Sequence, residues 1–248
     1  MRDPPSEPRD DEEEYYSGLR KAARTLAPFY DAVTLPISGL RHRVVDFASA
    51  GRGSRVLDVG TGTGKQAYAF AKRGYDVVGI DVSEDMLEIA NKKNKYRNAR
   101  FQLARATSLP FEDDSFDVSC VSFALHDMTS AVREKALKEM VRVTKPRGVI
   151  VIADYGLPRN KLGRFLVYHF VKLYEKYYPE FIKSDFEALL RGSGVEIQQW
   201  RSVLLGAGRI WRGIAALGEP VQNADPGDEV PTGTVAPTDS LRAPGLDQ

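Results

Sequence analysis

Cysteine is nearly absent: Cys120 is the only one in 248 residues. No disulfide can therefore form within the chain, and a reducing, cytoplasmic setting is the default expectation. Histidine is almost as scarce. His42, His126 and His169 are scattered, and with one thiol they offer no Cys/His ligand cluster, so no metal site is expected. No apolar run approaches the roughly 20 residues that span a bilayer, and the opening MRDPPSEPRDDEEE lacks the apolar core of a signal peptide. The expectation is a chain that is neither secreted nor membrane-spanning. No internal repeat is visible, which argues against a solenoid or propeller.

What is present is an ordinary globular balance, 42% hydrophobic against 28% charged residues, enough to bury a core. The net charge of +1 is unevenly spread. Residues 1–14 carry seven acids and two arginines, and residues 219–248 six acids and one arginine; each end is thus at −5, which leaves +11 for residues 15–218. A basic middle favours anionic lipid surfaces, nucleic acid or acidic substrates, or is simply a solvated lysine-rich surface. Residues 1–14 are charge-dense and 219–248 are rich in Pro, Gly, Asp and Thr, so both ends read as disordered tails around one domain at 15–218.

Within that domain, strand-length apolar bursts alternate with helical patterns: RVLDVG, YDVVGID, ARFQLA, FDVSCVSF and GVIVIADY. This is the signature of parallel strands with both faces covered. KQAYAFAKRG predicts a helix ending at Gly74, and Ser83 before Glu84 and Asp85 predicts an N-cap with acids in the first turn. A further helix is expected over Ser130–Val143, stopped by Lys145-Pro146-Arg147-Gly148. The βαβαβ alternation implies an α/β, doubly wound sheet that binds ligands at the carboxyl ends of its strands.

The first strand runs into Gly60-Thr61-Gly62-Thr63-Gly64, where three glycines allow the backbone to pass close to a ligand. Asp81 ends the second strand, 21 residues after Gly60, in position to accept from both hydroxyls of a ribose. The loop has neither the G-x-G-x-x-G spacing of dinucleotide binders nor the G-K-[ST] ending of a Walker A loop, since Gln66 follows Lys65. A pyrophosphate ligand is disfavoured.

VLDVGTGTG, followed in order by GIDVSEDMLEIA, LPFEDDSFDVSCVSFALHD and LKEMVRVTKPRGVIVIADY, resembles the class I S-adenosylmethionine (SAM) dependent methyltransferases over roughly residues 55–155. The resemblance implies a Rossmann-like, mostly parallel seven-stranded sheet with helices on both faces, and SAM as cofactor. A looser match is FYDAVTLPISGLRHRVVDFA, which resembles the lid of the ubiquinone and menaquinone biosynthesis C-methyltransferases. That group also has an S-F-G-L run where this chain has Ser122-Phe123-Ala124-Leu125. The implied layout is a helical lid at 15–50, a SAM-binding core at 55–155 and a substrate-side helical insertion at 156–182.

By the same resemblance Gly60, Thr61, Gly62, Thr63 and Gly64 line the methionine end of SAM, Asp58 reaches it through solvent and Asp81 holds the ribose. Val82 and Met86 flank the adenine, with Ala106 and Thr107 beside it, while Ser122 and Phe123 face the sulfonium and the acceptor. The family commonly reads G-D-A before L-P-F, but this chain has Ala104-Arg105-Ala106. Arg105 cannot accept from the adenine amino group, so either the backbone at Ala106 and Thr107 serves instead or cofactor affinity is weakened. The quinone enzymes tend to have Arg-Asn where this chain has His126-Asp127, which makes direct transfer of their substrate unsafe.

For an oxygen or ring-carbon nucleophile a general base would help. His126 and Asp127 are the candidates, the alternative being that Asp127 caps a helix and His126 lines the cofactor pocket; Tyr30 is a candidate lid residue. From Asn160 to Tyr178 a basic amphipathic helix is expected, with Leu162, Phe165, Leu166, His169, Phe170, Leu173 and Tyr177 on one face. Its stripe either packs on the core, the commoner meaning, or serves a hydrophobic acceptor site or an anionic membrane.

The leading expectation is methyl transfer to a small or lipophilic acceptor such as a quinol ring, in the cytoplasm with peripheral membrane contact. Phospholipid or amine N-methylation and a non-catalytic SAM-fold protein are the alternatives. Nucleic-acid methylation is disfavoured by the lack of an N-P-P-[FY] segment, and a nicotinamide dehydrogenase by the glycine spacing. Oligomeric state is not legible.

Overall fold

The computed structural model describes residues 8–216, apart from residue 174. A long helix α1 (Pro8–Val33) and a short α2 (Leu40–Ala48) precede the sheet. Strands β1 (Arg55–Val59), β2 (Asp76–Asp81), β3 (Ala99–Leu103), β4 (Phe116–Ser122) and β5 (Thr144–Tyr155) follow, with helices α3 (Lys65–Lys72), α4 (Glu84–Lys93) and α5 (Ser130–Val143) between them. The chain closes with α6 (Lys161–Lys172), α7 (Tyr178–Lys183), α8 (Phe186–Gly192), β6 (Val195–Val203) and β7 (Gly208–Ala215).

The seven strands form one sheet in the order β3-β2-β1-β4-β5-β7-β6. β1 to β5 are parallel, while β7 pairs antiparallel with both β5 and β6. This is the expected doubly wound, mostly parallel sheet. Strand order reverses between β1 and β4, and such a switch point opens a crevice at the carboxyl ends of the strands. Alternate residues of each strand face opposite layers. Val56, Val118 and Val151 pack with Val44, Val45 and Phe70 of α2 and α3 on one side. Leu57, Val121 and Ile152 pack with Ala136, Leu137 and Met140 of α5 on the other.

The helix expected over Ser130–Val143 occupies those residues, with Thr129 Oγ1 accepting from Val132 N. Ser83 caps α4 as expected, its Oγ accepting from Met86 N at 3.3 Å. Three local expectations are corrected. The acidic start, read as disordered through residue 14, is helical from Pro8, because Glu12 and Glu13 find distant cations and a hydroxyl (below). The amphipathic helix expected through Tyr178 stops at Lys172, and α7 starts afresh with a proline in its first turn. Of its stripe only Tyr177 packs on the core: Leu162, Phe165, Leu166, Phe170 and Leu173 are 57–76% exposed, and the inward face of α6 is Val167, Tyr168 and Val171. The C-terminal tail expected at 219–248 lies outside the described residues.

Candidate active site

The loop after β1 is built to be approached closely. Gly60, Gly62 and Gly64 have φ of 66°, 54° and 80°, left-handed conformations that favour glycine. At Gly64 a Cβ would also lie 2.7 Å from the Phe101 ring. The loop is tied down by its neighbours: Thr61 N donates to Ile80 O at 2.9 Å, and Thr61 Oγ1 donates to Asp58 Oδ2 at 2.6 Å. Asp81 Oδ2 accepts from Gly62 N at 2.8 Å and its Oδ1 from Ser83 N at 3.0 Å. One carboxylate thus braces the glycine loop and the start of α4, with lone pairs left for a ligand.

Asp58, Gly60 and Thr61 border a recess, whereas Gly62, Gly64 and Asp81 are not part of its lining. Tyr30, Asp58, Gly60, Thr61, Thr63, Ser122 and Phe123 line it, while Val82, Met86, Arg105, Ala106 and Thr107, expected around the adenine, do not. Burial raises the Asp58 carboxyl to about 7 against the opposing bonds from Thr61 Oγ1 and Ala67 N, and burial raises Asp81 as well. Phe123 is held at a φ of 52°, an uncommon conformation for an aromatic residue that is typical of positions over-determined by their surroundings. Its N–H donates to Ala153 O at 2.7 Å, and its ring meets Tyr155 edge-on at 5.3 Å.

Arg41 of α2 also lines the recess, and sequence reasoning missed it because its position is set by helix packing. Its guanidinium donates to Thr34 Oγ1 at 3.3 Å and has no carboxylate partner among the described residues. The donor set therefore fits SAM. Asp58 and Arg41, which border the recess, would hold the methionine ammonium and carboxylate, and Asp81, outside its lining, would hold the ribose hydroxyls.

Of the residues expected beside the adenine, Met86 and Ala106 are buried and Val82 packs on the core. Arg105 does not stand alone: its Nη2 donates to Glu13 Oε2 at 2.5 Å and its guanidinium lies 5.0 Å from the Tyr16 ring centroid. Thr107 Oγ1 donates to Glu12 Oε1 at 2.6 Å and lies 3.0 Å from Tyr16 Oη.

His126 and Asp127 sit on a short 3₁₀ turn after β4 and do not border the recess. His126 is buried, with Nδ1 2.8 Å from Asp154 Oδ1 and Nε2 3.7 Å from Glu175 Oε1. Burial opposes its charge, but the Asp154 and Glu175 carboxylates outweigh it and raise the imidazole to about 10. Asp154 also accepts from Leu125 N and His126 N, so it sets the shape of the turn. Burial and the nearby Glu175 raise Asp127 to about 6. Asp154 and Glu175 were not singled out in the sequence; the one signal was a carboxylate at the end of the strand IVIADY.

A glycine loop braced by a strand-end carboxylate, at a sheet's switch point, defines a nucleoside-binding site of the kind class I methyltransferases use. A family profile described as a methyltransferase domain matches residues 57–152. The chain is 30% identical over 219 residues to the ubiquinone/menaquinone biosynthesis C-methyltransferase of Geotalea daltonii, covering 76% of this chain and 92% of the relative. It is 40% identical over 138 residues to a demethylmenaquinone methyltransferase of Renibacterium salmoninarum, covering 54% of this chain and 56% of that protein. The chain thus spans just over half the length of this second relative. The YcgJ protein of Bacillus subtilis has the same fold, with a TM-score of 0.56 at 22% identity over 73% of this chain and 98% of that one. The chain belongs to the class I SAM-dependent methyltransferases. Within them it is similar to the ubiquinone and menaquinone C-methyltransferase group, and its cofactor is SAM. No described helix is long and apolar enough to cross a membrane.

Proposed function

We propose that the protein methylates a ring carbon of a lipophilic, quinol-type acceptor that it meets at an anionic membrane surface. The observation that carries this reading is the outward apolar face of α6, flanked by exposed Lys161, Arg164 and Lys172. An exposed amphipathic helix of this composition suits the interface of anionic lipid. α6 is joined to the recess through aromatic rings: Tyr168 lies 6.1 Å from Tyr178, which lies 5.4 Å from Tyr155, which packs at 5.3 Å on Phe123. The demethylmenaquinone and ubiquinone/menaquinone names of the relatives support a quinol ring as acceptor.

Bound in the recess, SAM supplies a methyl group already activated on a sulfonium. The chain's task is alignment, exclusion of water and management of one proton. Tyr30, lying over Gly62, closes the recess. His126, paired with Asp154, holds the turn that carries Asp127. Asp127, poised near 6, takes the proton from the ring hydroxyl or carbon.

The test is methyl transfer from labelled SAM to a demethylmenaquinol carried in phosphatidylglycerol vesicles, with phosphatidylethanolamine vesicles in parallel, alongside co-sedimentation. Label in the quinone fraction is expected, with vesicle binding lost when Phe165, Leu166 and Phe170 become Ser in a folded protein. Unchanged vesicle binding removes the membrane reading. Label on phosphatidylethanolamine instead selects the phospholipid alternative.

A further inference from the structure

Helix α1 crosses the ligand edge of the sheet as a strap fastened at both ends. Near its carboxyl end, Asp31 accepts from Thr63 Oγ1 at 2.7 Å and from Lys93 Nζ at 2.6 Å, and Lys65 Nζ lies 3.2 Å away. Beside it the Tyr30 ring would stand 3.5 Å from a Cβ on Gly62. Near its amino end, Glu12 takes Thr107 Oγ1 and Lys135 Nζ, the latter at 2.7 Å, while Glu13 takes Arg105. Between the two ends Pro28 removes one helical hydrogen bond.

The amino-end fastening falls on the segment after β3 where the cofactor's adenine is expected. It uses the residue at which this chain departs from the acid common in the family. An arginine there cannot accept from adenine, yet it reaches a carboxylate on α1 and stacks on buried Tyr16, whose hydroxyl meets Thr107.

We propose that Arg105 is a positioning residue that acts through Glu13 and Tyr16, clasping the amino-terminal half of α1 over the adenine end of the cofactor site. The departure thereby exchanges a direct adenine contact for closure of the strap. The proposal rests on SAM occupying the recess and is independent of the acceptor.

The test is a double-substitution cycle on the full chain, read by calorimetric titration with S-adenosylhomocysteine and by hydrogen exchange with and without it. Arg105→Ala and Glu13→Ala are each expected to weaken binding about threefold, as for a coupled pair at a partly exposed site. The double variant is expected to lose no more than either single one. Residues 12–20 should exchange faster in each variant even without ligand, while residues 28–33, fastened by Asp31, keep their protection. Arg105→Lys, which retains the charge, should stay near the parent in both readouts. Additive losses, or unchanged exchange of residues 12–20, overturn the clasp. Tighter binding by Arg105→Asp, the family's acid, also overturns it. If the parent binds no S-adenosylhomocysteine the cofactor assignment fails, whereas the ligand-free exchange still decides whether Arg105 holds α1.

Discussion

Asp81→Ala separates the two duties of one buried carboxylate. Asp81 accepts from Gly62 N at 2.8 Å and from Ser83 N at 3.0 Å, so removing it leaves two backbone donors in a site closed by α1. Each orphaned donor costs about 1–3 kcal/mol. At about 2–4 °C per kcal/mol for a domain of this size, the melting temperature should fall by roughly 4–24 °C. The cofactor loses more: two ribose hydroxyls bonded to a carboxylate are worth about 1.5–3 kcal/mol each, together about 10²- to 10⁴-fold in affinity. Calorimetric titration with S-adenosylhomocysteine, run below the variant's melting temperature, reads the second effect separately from the first. A dissociation constant within about threefold of the parent, with the melting temperature lowered, would show that Asp81 only braces the loop.

Further outcomes follow from the same geometry. Asp58 has its carboxyl raised to about 7 by burial, and a ligand ammonium favours the ionised form. S-adenosylhomocysteine affinity should therefore increase with pH up to about 7 and then level off, with proton release visible as a buffer-dependent binding enthalpy; Asp58→Asn should flatten the profile. The free protein behaves oppositely: a carboxyl raised on folding makes stability fall as pH rises from about 4 to about 7. Gly64→Ala should destabilise more than Gly62→Ala, because its Cβ would meet Phe101 at 2.7 Å, against 3.5 Å from the Tyr30 ring at Gly62. Equal melting temperatures would contradict the crowding argument. Asp154→Asn should drop the His126 titration well below 10, since burial then faces less opposing charge, and an NMR titration would detect it. Asp127→Asn should remove an acidic limb near pH 6 from the kcat profile; a retained limb would assign it to another group.

Much of the fold was readable locally. Strand-length apolar bursts gave the parallel strands, Ser83 marked the start of α4, and the helix over Ser130–Val143 needed no distant partner to be recognised. The cofactor loop was legible for the same reason: Gly60, Gly62, Gly64 and Asp81 are spaced by the turn that a strand–loop–helix unit imposes. Distant neighbours decided the rest. Acids at 12 and 13 read as a solvated tail until Arg105, Thr107 and Lys135, more than 90 residues on, turn them into a helix anchor. The stripe on α6 has the spacing of a core face, yet it is Val167, Tyr168 and Val171 that pack into the core. His126 reads as a base by type, but Asp154, 28 residues away, keeps it charged. The sequence by itself determined which elements form and where the cofactor loop lies, because hydrogen-bonding period and turn chemistry are local. Only the tertiary structure decided which faces are covered and which charges are paired, because burial and Coulomb energy depend on neighbours that folding brings together.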